Sequence, residues 1–274
     1  MEAIHALSIA PDVRDWLANS RQPRILHVFD QACNLVNERK EVLSVVSMQI
    51  GNGPFNLVIE NEILFTEYLD AESSISIHDH QLILGELAID TKQARQWSAR
   101  PDWEMLHQNK DRILPQLASS ISHPPGIPNS LLSAFSSAVA NADLSSSLST
   151  AKKLAGLGNG LTPAGDDFIL GSLHAAWVIH QQEAARGLAE EIANIAAPLT
   201  TSLSAAWIRS AAKGEAGILW HEFFNALISG NAAAVQGALY KILAVGETSG
   251  ADALAGFVGV FVCWAQEVGA THPH

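Results

Sequence analysis

The central motif of this sequence reads Gly156-Leu-Gly-Asn-Gly-Leu-Thr-Pro-Ala-Gly-Asp-Asp-Phe168. Glycine at alternate positions permits sharp turns and close approach of the backbone to another group. Thr162 followed by Pro163 predicts a helix start, with Thr at the N-cap and Pro at the first helical position. Asp166 and Asp167 then fall in the first helical turn, where negative charge complements the helix dipole. The motif therefore predicts a glycine-rich loop that leads into an apolar helix.

A shorter copy of this motif lies near the end of the chain, as Gly246-Glu-Thr-Ser-Gly-Ala-Asp-Ala-Leu-Ala-Gly256. Both copies contain Gly-x-Asp-x-x-x-Gly and both lead into an apolar helix. The shared positions are Gly165, Asp167 and Gly171 in the first copy and Gly250, Asp252 and Gly256 in the second. Helix capping requires neither two adjacent acids nor a repeated motif. We therefore predict that Asp167 and Asp252 face each other across one polar pocket.

The two copies and the segment between them supply the candidate site. The predicted catalytic residues are Asp166, Asp167 and Asp252. The predicted substrate- or anion-binding residues are Gly158, Asn159, Gly160, Thr162, Gly165, Thr201, Ser202, Arg209, Thr248, Ser249 and Gly250. Backbone N–H groups at a glycine-rich helix start can cradle an anion, and the planar guanidinium of an arginine suits phosphate or carboxylate.

The carboxylates of the first copy would repel a bare anion, and the sequence leaves two explanations open. Asp166 and Asp167 either hold Mg²⁺, which bridges to the anion, or point at amide or cationic groups. A structural interpretation also exists, in which all these residues are helix caps and solvated charges. His174 lies on the same helix face as Asp167 and is either a proton carrier or a core histidine. Asn34 and Asn52 either line a cleft or occupy strand ends and turns.

The composition limits the class of protein. The chain has 274 residues, of which 48% are hydrophobic and 16% are charged, so a large core is expected. The net charge of −12 disfavours nucleic acid and anionic membranes as partners. The apolar window 253–265 is shorter than a bilayer span and predicts a buried helix. The absence of a CxxC motif and of a leader-like start favours a cytoplasmic location.

The pattern along the chain predicts an α+β fold, with an N-terminal antiparallel sheet or small barrel followed by an all-α domain. Residues 1–100 form the β-rich domain, 101–150 a connecting segment with short helices, and 151–274 a domain of about six helices that carries both motifs. The expected strands are Arg24–Phe29, Val42–Ile50, Phe55–Ile59 and Gln81–Leu84. Gly51-Asn-Gly-Pro54 predicts a hairpin-type break between two of them.

The chain resembles a bacterial family, the AllH-type subunits of oxamate carbamoyltransferase. The resemblance is carried by Gly158-Asn-Gly-Leu-Thr-Pro-Ala-Gly-Asp-Asp-Phe168 and extends to Cys33-Asn-Leu-Val-Asn37, Gly51-Asn-Gly-Pro-Phe55, Leu199-Thr-Thr-Ser-Leu-Ser204, Gly214-Glu215 and Val245-Gly-Glu-Thr-Ser-Gly-Ala-Asp252. These segments span most of the chain.

This resemblance implies a transferase subunit that acts with two other subunits in allantoin degradation. The implied reaction converts oxalurate and phosphate into oxamate and carbamoyl phosphate, and runs in both directions. It implies no catalytic residue, so the site above depends on the residues alone. The Ser-x-Arg-Thr-Arg signature of aspartate and ornithine carbamoyltransferases is absent from the sequence. A non-catalytic scaffold or regulatory subunit, or a small carboxylate-binding protein, is the alternative.

Overall fold

The computed structural model describes residues 4–60, 63–117, 124 and 126–271. The chain divides into two compact units, Met1–Ala99 and Arg100–His274. The first unit contains the strands and the second is helical, which confirms the predicted α+β class.

The first unit is built on one nine-stranded sheet that curls into a nearly closed barrel. Its strands are β1 (Ile4–Ile9), β2 (Arg24–Phe29), β3 (Ala32–Val36), β4 (Val42–Ser47), β5 (Asn56–Ile59), β6 (Ile75–His78), β7 (Gln81–Leu84), β8 (Leu87–Asp90) and β9 (Arg95–Gln96). They are ordered β2-β3-β4-β5-β1-β8-β7-β6, and β9 pairs with β1. Two helices accompany them, α1 (Pro11–Asn19) and α2 (Phe65–Tyr68).

Most strand pairs are antiparallel, but β1 pairs with β8 and β9 in parallel, and β4 pairs with β5 in parallel. The hairpin expected at Gly51-Asn-Gly-Pro54 is therefore wrong. Gly51 has a positive φ of 77°, and its carbonyl accepts a hydrogen bond from Asn56 Nδ2 at 2.9 Å. The chain turns back in this loop and starts β5 in the direction of β4.

The core of the first unit comes from one face of these strands. Leu35 pairs with Leu43, and Cys33 pairs with Val45, in adjacent strands. Val45 continues this row to Leu57 on β5. All five side chains are fully buried, so alternation along each strand gives a continuous apolar layer. Burial raises the pKa of the Cys33 thiol to about 12, which makes it an inert core residue.

The second unit is helical. Its helices are α3 (Trp103–Gln108), α4 (Lys110–Ile113), α5 (Asn129–Ala140), α6 (Leu144–Leu154), α7 (Ala164–Ile179), α8 (Gln182–Ala196), α9 (Ser202–Ala212), α10 (Ile218–Ser229), α11 (Ala232–Leu243) and α12 (Ser249–Thr271), with 3₁₀ turns at Leu114–Leu117 and Ala197–Leu199. The sequence predicts about six helices over 151–274, and α7 to α12 are six helices within that range.

Helices α7 and α12 cross at the centre of this unit, and glycine permits the crossing. A Cβ atom on Gly171 of α7 would overlap the carbonyl oxygen of Ala253 on α12. A Cβ atom on Gly256 of α12 would overlap the carbonyl oxygen of Phe168 on α7. The contact is reciprocal. Ala253, which Gly171 contacts, directly follows Asp252, and Phe168, which Gly256 contacts, directly follows Asp167. The terminal glycine of each motif therefore brings the two helices together.

Among the described residues, Ser249–Gln266 of α12 form a helix segment long and apolar enough to cross a membrane by length and composition. Half of this segment is buried inside the structure, where α12 packs against α7 and α5. The segment also carries Asp252, which is 2% exposed. These features are typical of a core helix, as the sequence predicts for this segment.

Candidate functional site

The structure brings the two copies of the motif together at the starts of α7 and α12. Thr162 lies just before α7, and Ser249 is the first residue of α12. Their hydroxyl oxygens, Thr162 Oγ1 and Ser249 Oγ, are 2.8 Å apart. Beneath this hydroxyl pair, Asp167 is 7% exposed and Asp252 is 2% exposed. Asp252 acts on Asp167 as a neighbouring negative charge. The two acids and two hydroxyls therefore form one cluster between the helix starts, here named the twin corner.

Thr162 does not cap α7, contrary to the helix-start interpretation. The N-cap position is Pro163, and no side chain caps this helix. The Thr162 hydroxyl instead pairs with Ser249 across the two motifs. A purely local role therefore does not explain why threonine occupies this position.

The shift in the pKa of Asp167 is the strongest electrostatic feature of the twin corner. Burial raises the pKa of Asp167 to about 8; the charges of Asp252 and Asp166 add to the rise, while the hydroxyls of Ser249 and Thr162 oppose it. Burial also raises the pKa of Asp252, against the hydrogen bond of Thr248. One Oδ2 atom on each acid is buried without a hydrogen-bond partner among the described residues. At neutral pH the pair therefore retains a proton.

Asp166 has a different role, because its carboxylate holds the glycine loop in place. Its Oδ1 atom accepts the backbone N–H of Gly156 at 2.8 Å, and its Oδ2 atom accepts the Thr200 hydroxyl. Burial raises the pKa of Asp166, and these hydrogen bonds, with one from Ser204, oppose the rise. Thr200, Ser204 and Gly156 are not among the site residues that the sequence predicts. The hydroxyl run at 200–204 was the available signal for the first two.

The glycine loop is exposed at its tip and tightly packed at its ends. Gly158, Asn159 and Gly160 are exposed, and both glycines have positive φ angles, 126° and 91°. By contrast, the Gly165 N–H donates to the Leu157 carbonyl at 2.8 Å, and the Gly250 N–H donates to the Val245 carbonyl at 3.1 Å. Those two N–H groups already have acceptors, whereas no backbone acceptor is used by the N–H groups of the loop tip among the described residues.

The start of α9 lies against the same loop. The Thr201 hydroxyl caps α9 by accepting the Ser204 N–H at 3.1 Å, and donates to the Leu161 carbonyl at 2.7 Å. Ser202 is the first residue of this helix and is partly buried. Arg209 lies seven positions further along and is exposed, and in the part of the chain that the structure describes no hydrogen bond or ion pair joins it to the twin corner. Thr248 is exposed beside Asp252.

Asp166 has no free carboxylate oxygen for a metal ion. Within the described residues, no group of three or more His, Cys, Asp or Glu side chains is arranged to hold one. Both carboxylate oxygens of Asp166 already accept protein donors. If Asp166 and Asp167 held Mg²⁺ together, Asp166 would therefore have to give up a hydrogen bond that secures the loop.

His174 lies away from the acids, in an aromatic cluster. Its ring stacks on Trp103 with centroids 6.0 Å apart and meets the edge of Trp220 at 4.8 Å. Burial, with a smaller contribution from His221, lowers the pKa of His174 to about 3. The neutral ring is a core residue, which is the structural alternative that the sequence left open.

Comparison with known proteins covers both units of the chain. Residues 154–261 match the family model described as oxamate carbamoyltransferase subunit AllH. Residues 5–96 match the model of the AllH family N-terminal domain. The chain belongs to the AllH family. No solved structure matches it. The first of these matches contains the whole twin corner and the loop that leads into it.

Proposed function

We propose that this AllH-family chain is a catalytic subunit of an oxamate carbamoyltransferase. It would interconvert oxalurate plus phosphate with oxamate plus carbamoyl phosphate, together with two other subunits of an allantoin-degradation enzyme. The family match supports the transferase assignment. One observation supports a catalytic role for this chain: Asp167 and Asp252 form a proton-holding pair under the Thr162 and Ser249 hydroxyls.

The reaction needs a binding site for phosphate that does not repel it. The exposed N–H groups of Gly158, Asn159 and Gly160 and the hydroxyls of Thr162 and Ser249 are neutral donors at the entrance to the twin corner. A protonated Asp167 removes one negative charge from beneath these donors. This resolves the conflict between acids and anion without a bridging metal ion. Arg209 is given no role, because no hydrogen bond or ion pair among the described residues joins it to these donors.

The chemistry also needs a proton at the nitrogen of the bond that breaks. When a phosphate oxygen attacks the ureido carbonyl carbon of oxalurate, the C–O bond forms and the C–N bond to the oxamate nitrogen breaks. Asp167 donates its proton to that nitrogen, and Asp252 accepts the proton that the phosphate oxygen loses. A pair of neighbouring acids that holds one proton suits this exchange, because one member donates while the other accepts. The reverse reaction uses the same two steps backwards.

The test is turnover by the assembled three-subunit complex that contains the Asp167→Asn variant. Asn preserves the shape and the hydrogen bonds of a protonated acid but transfers no proton, so we expect turnover to fall by about 10²-fold or more. Assembly and melting temperature should stay close to wild type. The matched control is Asp143→Asn, since Asp143 caps α6 and is another aspartate at a helix start. Wild-type turnover in the Asp167→Asn complex would reject the proposal.

A scaffold role is the second candidate, and the near-complete burial of both acids favours it. In that case the glycine crossing and the acid pair only shape a surface for the partner subunits. Asp167→Asn would then reduce assembly, measured by size-exclusion chromatography, and leave activity per assembled complex unchanged. The same variant therefore separates the two functions.

A further inference from the structure

A row of polar side chains crosses four adjacent strands of the first unit. His27 on β2 pairs with Asn34 on β3, Asn34 pairs with Ser44 on β4, and Ser44 pairs with Asn56 on β5. Residues in register on neighbouring strands project from the same face of a sheet. The strand neighbours of this row, such as Leu35 and Leu43, belong to the apolar core, so the row occupies the opposite face.

Most of this face is buried, although it is not part of the core cluster, and His27 at its end is partly exposed. Asn34 and Asn56 are each 5% exposed and Ser44 is 4% exposed. On either side of the row lie the buried valines Val36, Val42, Val46 and Val58. A polar band between buried valines is costly to fold unless its donors and acceptors have partners.

The hydrogen bonds of the row leave part of its capacity unused. Ser44 Oγ donates to Asn34 Oδ1 at 2.6 Å. Among the described residues, the side chain of Asn34 makes no other hydrogen bond. Asn56 Nδ2 donates to the Gly51 carbonyl at 2.9 Å. His27 Nδ1 is buried with no hydrogen-bond partner among the described residues. The Asn34 amide nitrogen and the His27 ring nitrogen are therefore available for a ligand.

The chemistry of the row selects neutral ligand groups. It contains two carboxamides, one hydroxyl and one imidazole. Burial lowers the pKa of His27, so that its ring is neutral near pH 7. With no formal charge, the row compensates neither a carboxylate nor an ammonium group. A carboxamide or ureido group presents N–H donors and a carbonyl acceptor in one plane, which matches what the row offers.

We propose that the row His27-Asn34-Ser44-Asn56 binds the neutral carboxamide or ureido group of a small ligand. The choice of oxamate as a probe rests on the proposed function, because oxamate carries one carboxamide and one carboxylate. Oxalate has a second carboxylate in place of the carboxamide. The difference in affinity between oxamate and oxalate therefore measures recognition of the amide.

The experiment titrates oxamate and oxalate into the full chain by calorimetry, for wild type, Asn34→Ala and Ser44→Ala. The wild-type chain should bind oxamate more tightly than oxalate. Each variant should lose about tenfold in oxamate affinity and keep its affinity for oxalate, because Asn34→Ala removes a donor to the amide and Ser44→Ala removes the hydroxyl that orients the Asn34 carboxamide. Ser44→Ala provides the test if Asn34→Ala does not fold.

The control is Asn37→Ala. Asn37 has the same 5% exposure as Asn34, but all its hydrogen-bonding capacity is used locally. Its Oδ1 atom accepts two backbone N–H groups, and its Nδ2 atom donates to Ser20 and Glu41. Asn37→Ala should lower the melting temperature without changing the preference for oxamate.

The inference is overturned if wild type has no preference for oxamate, or if both Asn34→Ala and Ser44→Ala retain it. Its failure can be separated from failure of the proposed function. An intact oxamate preference in both variants, with loss of turnover in Asp167→Asn, would remove only the amide site. Amide binding that depends on Asn34, with normal turnover in Asp167→Asn, would remove only the catalytic role of the twin corner.

Discussion

The two Gly-x-Asp-x-x-x-Gly motifs share their packing and differ in their electrostatics. Their last glycines are equivalent, because Gly171 and Gly256 each lie against the backbone of the other helix. Their surroundings are not equivalent. The first motif follows a loop with three glycines at positive φ and is held by the second acid, Asp166, whereas the second has one such glycine, Gly246. The repeat thus builds a symmetric crossing, and the loop before the first copy makes the site asymmetric.

This difference explains why the two aspartates are not interchangeable. The pKa of Asp167 rises to about 8 because burial combines with the charges of Asp252 and Asp166. Asp252 has no second acid beside it in the sequence, and Thr248 partly offsets the effect of its burial. A duplicated motif therefore yields one acid suited to hold the proton and one suited to receive it.

The largest expected effect tests the symmetric part of the comparison. Gly171→Ala and Gly256→Ala should each lower the free energy of unfolding by about 3 kcal/mol or more, because the new methyl group overlaps a carbonyl oxygen and separates the helices. Urea denaturation measures the loss. Gly237→Ala in α11 is the control, since nothing lies within 4 Å of its Cβ position; it should raise stability by about 0.5–1 kcal/mol. If the chain tolerated one of these two alanine substitutions but not the other, the two glycines would not be equivalent in the helix crossing.

The second prediction tests the asymmetric part through pH. The pKa of Asp167 is about 8 in the folded chain against a reference of 3.8, so the folded state keeps a proton that the unfolded state loses. The contribution of Asp167 is complete below pH 4 and is lost as pH rises towards 8. Asp167→Asn should reduce the slope of unfolding free energy against pH by up to ~1.4 kcal/mol per unit.

Urea denaturation at pH 5, 6.5 and 8 measures this slope. Asp252→Asn should also reduce the slope, but by less than Asp167→Asn. This substitution removes the Asp252 carboxyl, whose pKa is raised, and with it one of the charges that raise the pKa of Asp167. Equal slopes in wild type and Asp167→Asn would mean that Asp167 is ionised in the folded chain, and the assignment of the proton would fail.

The smallest expected effect concerns the hydroxyl bridge that joins the two motifs. Thr162→Val and Ser249→Ala should each destabilise the chain modestly, and a double-mutant cycle should give a coupling of about 0.5–1.5 kcal/mol. Thr162→Ser is the control, because it keeps the hydroxyl that lies 2.8 Å from Ser249. Strictly additive single substitutions would show that the bridge contributes nothing, and that packing alone holds the two helix starts together.

The helical unit was more predictable than the sheet. Helices α7 to α12 have long apolar periods that a local pattern reveals, and the repeated motif was the reason to expect Asp167 near Asp252. Strands β1, β3, β6, β8 and β9 were not predicted, since segments of 2–6 residues give a weak periodic signal. The parallel pairing of β4 and β5 was missed because the Gly51-Asn-Gly-Pro54 signal fits a hairpin equally well.

Within the site, long-range contacts were the unpredictable part. Nothing local in the sequence shows that Thr200 donates to Asp166 or that Thr162 pairs with Ser249, because these contacts join segments far apart in the chain. The predicted role of Arg209 stays a prediction, because no hydrogen bond or ion pair among the described residues joins its exposed side chain to the twin corner. Its place on α9 followed from the periodicity, but which face of α9 meets the glycine loop depends on packing.

The sequence alone determined the α+β class, the helical character of the second half, the two glycine-acid motifs and the family resemblance. All of these depend on residues close together in the chain. The tertiary structure decided that the acids are buried, that Asp167 holds a proton, that Asp166 secures the loop, and that four polar residues align across β2 to β5. Desolvation, charge proximity and strand register arise only when distant segments pack together, so no local pattern encodes them.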